Sequence, residues 1–171
     1  MDNLTLLIPA NKEKESLPIF LKELENFKCH KMIVLQKEDS ETLDSISKFE
    51  NIKIFFQKNN GYGNALIEGL DEITTEYFCI INADGSMDPK FLKDMLSHCL
   101  DADLVFGSRY ITGGGSDDDD LVTFTGNKIF TFLGNILFSL NLSDILYTYV
   151  LGKTNAIKKL SLINKDFRIC V

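Results

Sequence analysis

Short apolar runs alternate along the chain with segments whose apolar positions recur every three or four residues. Residues 4–8 are an apolar run closed by Pro9, the pattern of a buried strand. Ser16-Leu17-Pro18 then opens a helix in which Leu17, Phe20, Leu21, Leu24 and Phe27 share one face. Residues 32–35 predict a second strand, and a helix carrying Leu43, Ile46 and Phe49 follows it. Residues 52–56 form a third apolar run, and the loop 57–63 leads into a helix with Leu66, Leu70 and Ile73 on one side. Residues 77–81 predict a fourth strand. Asp88-Pro89 then reads as an N-cap and first-turn proline for a helix with Phe91, Leu92, Met95 and Cys99. Residues 104–106 predict a fifth strand.

Strands that alternate with helices in this way predict an α/β fold, with a mostly parallel sheet between two helical layers. In such folds ligands bind at the carboxyl ends of the strands. The residues after Ile8, Leu35, Phe56, Ile81 and Phe106 are therefore the ones to read for chemistry.

The pattern changes after residue 107. Gly113-Gly114-Gly115 and the aspartates 117–120 read as a mobile loop long enough to be a lid or an insertion. Asn127, Thr131, Asn135, Ser139 and Ser143 then place polar groups at every fourth position of an otherwise apolar segment. A narrow polar stripe of this kind suits a core helix, a homodimer contact or a membrane surface through residues 127–143. Residues 167–171 read as the start of another strand. The expectation is one domain over 1–171, cut short at its C-terminal end.

Composition narrows the function classes. The chain has 18 basic and 25 acidic residues, a net charge of −7, which disfavours a broad nucleic-acid-binding surface. The charge is uneven: residues 121–171 hold 6 basic and 2 acidic groups, the rest being markedly acidic. The basic, apolar end thus suits a membrane surface or an anionic acceptor as well as a plain solvated edge. Cys29, Cys79, Cys99 and Cys170 show no metal-ligand spacing and read as reduced residues of a cytoplasmic protein. His30 and His98 lack partner spacing and read as structural or exposed. No signal peptide is read at the start, and no uninterrupted apolar stretch reaches the roughly 18 residues of a spanning helix.

Three strand ends carry candidate chemistry. Asn82-Ala83-Asp84-Gly85-Ser86 offers a carboxylate and a hydroxyl in a tight turn, a setting that suits Mg²⁺ or Mn²⁺ bound to a diphosphate as well as a purely structural turn. Asn60-Gly61-Tyr62-Gly63-Asn64 lies ahead of a helix, where glycines let backbone N–H groups approach an anion or simply make a turn. Gly107-Ser108-Arg109-Tyr110 places a guanidinium at a strand end, suited to a phosphate clamp or an ion pair. Asp144 suits a cap, a base on the acceptor side or a metal neighbour, and Glu13 suits a base or ribose contact or a helix-dipole partner. A receiver-type signalling domain needs an acidic pair after the first strand, where this chain has Pro9-Ala10-Asn11.

In this order the pieces resemble the family-2 glycosyltransferases of the GT-A fold, in the branch of polyprenyl-phosphate sugar transferases that includes dolichol-phosphate mannose synthase. Ile8-Pro9-Ala10-Asn11-Lys12-Glu13 resembles the family's I-P-A-Y-N-E, and Asn60 to Leu66 its N-x-G-x-G-x-A-L. Asn82-Ala83-Asp84 resembles D-A-D, Gly107-Ser108-Arg109-Tyr110 matches G-S-R-Y, and residues 144–153 loosely follow D-x-x-S-G-F. The resemblance implies transfer of a sugar, with inversion, from a nucleotide-diphosphate sugar to a lipid-linked or saccharide acceptor, in surface glycan or glycolipid assembly. It implies a nucleotide site at Pro9, Ala10, Glu13, Gln36, Gly61, Gly63, Asn82 and Ala83, with Mg²⁺ or Mn²⁺ at Asp84 and Ser86. Asp84, Arg109 and Asp144 would be the catalytic residues, and the site would lie in the cytoplasm or at the inner face of a membrane. Asn82 stands where the family has the first aspartate of D-A-D, and Gln36 where its second strand ends in aspartate. Tyr147 and Thr148 replace Ser-Gly, and the loop at 117–120 is acidic. These departures leave open a degenerate domain that binds a nucleotide or a partner without catalysis.

Overall fold

A computed structural model describes residues 1–115 and 120–170. Its centre is a six-stranded sheet of order β3-β2-β1-β4-β6-β5. The strands are β1 (Leu4–Pro9), β2 (His30–Leu35), β3 (Ile52–Phe56), β4 (Tyr77–Ile80), β5 (Leu104–Phe106) and β6 (Val150–Lys153). All six residues of β1 are buried, because the strand is paired on both edges and covered on both faces. Leu4, Leu6 and Ile8 point into one core cluster and Leu7 into the other, the period-two alternation of a strand.

The first cluster is closed by α1 (Ser16–Glu23), α2 (Ser40–Ser45) and α4 (Leu92–His98), through Leu17, Phe20, Leu21, Ile46, Leu92 and Met95. The opposite face is covered by α3 (Tyr62–Glu72), through Ala65, Leu66 and Leu70, with Ile157 of α6 (Thr154–Ile157) beside it. Gly69 lets α3 sit close on the sheet: a Cβ there would lie 2.5 Å from Leu7 Cδ1 and 3.0 Å from Val34 Cγ2.

The five predicted strands are present, and β1 to β4 run parallel. The structure adds β6, which inserts between β4 and β5 and runs antiparallel to both. Asp88 accepts the Lys90 N–H (2.9 Å) ahead of Pro89, as a cap, but the first turn is a tight 3₁₀ turn that runs on into α4. The helix expected to carry Ile46 and Phe49 is a short one that ends at Ser45. Of the strand expected at 167–171, the part within the described residues is instead a 3₁₀ turn, Phe167–Cys170, where Asp166 accepts the backbone N–H and the guanidinium of Arg168; position 171 lies outside the described residues. Of the aspartate run at 117–120, positions 117–119 lie outside the described residues. Asp120 is the N-cap of α5 (Leu121–Phe138), accepting the Thr123 N–H at 2.7 Å. Both histidines are exposed, and Cys29, Cys79 and Cys99 are free thiols.

Helix α5 overturns the core expectation. Among its residues only Thr131 and Gly134 are buried. Its polar stripe faces the protein: Asn127 donates to the Tyr110 hydroxyl (2.6 Å), Thr131 accepts the Ile145 N–H (3.3 Å), and Asn135 brackets both backbone groups of Leu142. The apolar side chains point outward, with Phe130, Phe132, Ile136, Leu137 and Phe138 each at least 60% exposed. By length and composition α5 is also apolar enough to cross a membrane, with a mean hydropathy of 1.2 over 18 residues.

Gly69→Ala is expected to destabilise the chain by about 1–3 kcal/mol, the usual cost of forcing extra volume into a packed interior. Urea unfolding measures it, as a lower midpoint at an unchanged slope.

Candidate active site

The sheet order places a crevice where strands leave β1 in opposite directions. Strands β2 and β3 lie to one side of β1 and β4 to the other, so the carboxyl ends of β1 and β4 frame a topological switch point. Pro9 ends β1, and the Ala10 N–H donates to the Val34 carbonyl (3.0 Å), which fixes where the chain leaves the sheet. The next turn is held from β2's side. Asp39 accepts the Lys12 N–H (2.7 Å) and the Thr42 N–H (3.3 Å), and Thr42, itself buried, accepts the Glu13 N–H (3.0 Å). Burial opposes the charge on Asp39, but these N–H donors outweigh it and hold the carboxyl below its ordinary pKa. The Glu13 carboxylate takes the Ser16 hydroxyl, and Gln36 is half-buried with its carbonyl accepting the Asp39 N–H.

At the end of β4 the chain turns through Asn82 to Ser86. Ala83 is buried, while Asp84 and Ser86 are exposed, and Gly85 adopts φ +77°. The Asp84 carboxylate accepts the Ser86 N–H (2.9 Å), which closes the turn and leaves acceptor capacity toward solvent. Asn82 is tied back, its side-chain oxygen accepting the Tyr62 hydroxyl at 3.2 Å. Among the described residues no three His, Cys, Asp or Glu side chains form a metal cage. One exposed carboxylate on a rigid turn fits a cation that takes most of its oxygens from a bound diphosphate and water, as Mg²⁺ characteristically does.

Arg109 and Asp144 come together. The guanidinium donates to both carboxylate oxygens, Nε to Oδ2 at 2.7 Å and Nη2 to Oδ1 at 3.0 Å. The Asp144 side chain is fully buried and that of Arg109 is 18% exposed. Asp144 therefore sits behind Arg109 and orients it, with both carboxylate oxygens bonded to the guanidinium and the side chain out of solvent. Arg109 also lies over the Tyr147 ring (5.1 Å), and the Tyr147 hydroxyl donates to the Ser86 carbonyl (3.1 Å). Burial raises the pKa of the Tyr147 phenol; Arg109 partly offsets this, and the carboxylates of Asp144, Asp84 and Asp88 add to it. One chain of contacts thus links the Asp84 turn, Tyr147, Arg109 and Asp144.

The glycine loop is placed differently from a phosphate cradle. Gly61 has φ +118°, and a Cβ on it would lie 2.6 Å from the Lys165 carbonyl oxygen. A Cβ on Gly63 would lie 2.4 Å from the Asn164 oxygen. The glycines thus admit the backbone of 164–166 against the start of α3. Glu68, one helix turn on, holds the preceding loop through the N–H groups of Lys58 (2.6 Å) and Asn59 (3.1 Å).

Tyr62, Thr42, Asp39 and Glu68 are site-shaping residues that sequence reasoning missed. Each acts through a contact 10 or more residues away in the chain, or as one polar residue among many. Tyr147 carried a signal, since it departs from the family's Ser-Gly.

Known proteins agree with this architecture. The family model described as glycosyl transferase family 2 matches residues 5–161. An uncharacterized glycosyltransferase of Mycobacterium tuberculosis is 30% identical over 115 residues, covering 66% of this chain and 51% of the relative. A dolichol-phosphate mannosyltransferase of Pyrococcus furiosus is 25% identical over 119 residues, covering 64% of this chain and 34% of that protein. The chain thus spans about half or less of the length of these relatives. Among solved structures, glucosyl-3-phosphoglycerate synthase from Mycobacterium tuberculosis, in complex with Mn²⁺, UDP and glucosyl-3-phosphoglycerate, superimposes with a TM-score of 0.75 at 11% identity. The match covers 98% of this chain and 62% of that one. The parallel sheet, the turn after β4 and these matches together establish that the chain belongs to glycosyl transferase family 2 and has the GT-A fold.

Proposed function

We propose that this chain carries the donor site of a nucleotide-sugar-dependent glycosyltransferase of the hexosyltransferase type. The observation that carries the reading is Asp84, an exposed carboxylate on a closed turn at the carboxyl end of β4, beside the switch point of the sheet. Pro9, Ala10, Glu13, Gln36, Asn82 and Ala83 surround the same strand ends and would receive the nucleotide. Asp84, with Ser86, would hold Mg²⁺ or Mn²⁺. When bound, the metal would neutralise charge on the departing diphosphate. A structural neighbour crystallised with Mn²⁺ and UDP supports the use of a divalent metal with a nucleotide on this fold.

Transfer proceeds with inversion. An acceptor oxygen forms a bond to the anomeric carbon as the bond from that carbon to the diphosphate oxygen breaks, and the diphosphate leaves with the electron pair. A hydroxyl acceptor needs a base to take its proton, whereas a phosphate acceptor is already anionic. Because Arg109 occupies both oxygens of Asp144, the arrangement favours a phosphate acceptor, with Arg109 meeting its charge. The dolichol-phosphate mannosyltransferase relative supports a lipid-linked phosphate, and the outward apolar face of α5 suits the inner face of a membrane. A second reading, a domain that binds nucleotide without turnover, draws on Asn82: an amide bound to Tyr62 stands where the family has a carboxylate.

Asp84→Ala is expected to abolish Mn²⁺-dependent nucleotide-diphosphate binding in calorimetry while the melting temperature stays within about 2 °C, because an exposed turn residue supports no core. Unchanged affinity would remove the metal assignment. Arg109→Lys keeps the charge but loses the two-point grip; it is expected to slow transfer at least about tenfold with unaltered donor affinity. Equal loss of both would place Arg109 on the donor side. Release of nucleotide diphosphate from a nucleotide sugar, with none in Asp84→Ala, separates turnover from binding alone. Co-sedimentation with anionic vesicles is expected for the chain and is lost when Phe130, Phe132 and Leu137 are made serine.

A further inference from the structure

We infer that the segment 164–167 is a wall of the donor site and that Tyr62 is the positioning residue through which it acts. This rests on the donor reading above. The segment is seated by backbone geometry: the Lys165 carbonyl accepts the Asn64 N–H (3.2 Å) in the first turn of α3, and Gly61 and Gly63 leave the space it occupies. Leu162 and Ile169, on either side of it, pack against the α3 face of the core. Asp166 and Arg168 lock the turn that follows, through bonds of 2.8–3.1 Å.

That turn delivers Phe167 onto Tyr62. The rings stack with centroids 4.9 Å apart and planes within 12°. The Tyr62 hydroxyl then reaches across the crevice to the Asn82 side chain (3.2 Å) and to Thr148 Oγ1 (3.5 Å) just before β6. Asn82 begins the turn that carries Asp84. One contact chain therefore runs from Phe167 through Tyr62 to the backbone turn proposed to hold the metal and diphosphate. Phe167 is 73% exposed, so it contributes little to the core and its loss tests position rather than folding. The stack fixes the tilt of the Tyr62 ring and so the reach of its hydroxyl.

The experiment uses the 171-residue chain and UDP, GDP, CDP and TDP, each with Mn²⁺. The chain contains no tryptophan, so Phe167→Trp keeps a stacking ring and makes it the sole tryptophan reporter. Phe167→Trp, which keeps a stacking ring, is expected to lose less affinity for the preferred nucleotide than Phe167→Ala and to change its emission on binding. Phe167→Ala and Tyr62→Phe are each expected to weaken binding about three- to tenfold, the scale of one aromatic pair or one hydrogen bond. The double variant is expected to be no weaker than the worse single one, because both act through one contact chain. Unchanged affinity in Phe167→Ala and Tyr62→Phe, losses that multiply in the double variant, or a silent tryptophan would each overturn the wall while leaving the donor site standing. If the wild-type chain bound none of the four nucleotides, the donor reading itself would fall, and the wall with it.

Discussion

Strand β1 is paired along both edges, to β2 and to β4, and buried on both faces, so its backbone hydrogen bonds are made chiefly inside the sheet. This constraint organises the molecule. A parallel strand in that position requires crossover helices above and below, which α1 and α3 supply. Chain that leaves the sheet to opposite sides of β1 must open a crevice at the strands' carboxyl ends. At those ends Pro9, Ala10 and Ala83 are buried against the core, while the turn that carries Asp84 and Ser86 is closed by its own hydrogen bond. Asp84 and Ser86 can therefore be polar and exposed without weakening the core.

Around that crevice the protein uses two kinds of support. On the β4 and β6 side, a buried ion pair fixes Arg109: breaking one partner of such a pair typically costs about 3–5 kcal/mol, so the guanidinium's direction is strongly specified. On the α3 side, support comes from close backbone approach and aromatic stacking, individually weak and adjustable. The ion-paired half is the one proposed to meet the acceptor phosphate, and the α3 half the one proposed to meet the nucleotide. A site that must release its product can use such an arrangement.

Much of this was legible in the chain itself. Five strands could be placed because three- to five-residue apolar runs bounded by polar turns leave little ambiguity, and the strand ends pointed to Asp84 and Arg109. What escaped depended on partners distant in sequence. Strand β6 is a short run containing Gly152, recognisable as a strand only through Leu104 and Tyr77, which it pairs between. The polar stripe of α5 was visible, but periodicity gives a helix's faces without saying which one turns inward. Here Asn127, Thr131 and Asn135 find partners in the protein, while Phe130, Phe132, Ile136, Leu137 and Phe138 stay exposed. The glycines at 61 and 63 were visible as well; that they admit the backbone of residues 164–166 follows from a contact about 100 residues away.

The claim on which the account turns is that metal and nucleotide meet at the carboxyl ends of β1 and β4. Paramagnetic broadening by Mn²⁺ in amide-resolved NMR spectra, recorded with a saturating nucleotide diphosphate, locates that meeting point directly. The account predicts broadening centred on the amides of Asp84 to Asp88 and extending to Ala10 and Asn82, with His30 and Lys31 at the opposite end of the sheet left sharp. Broadening centred elsewhere, or none that depends on nucleotide, would contradict it.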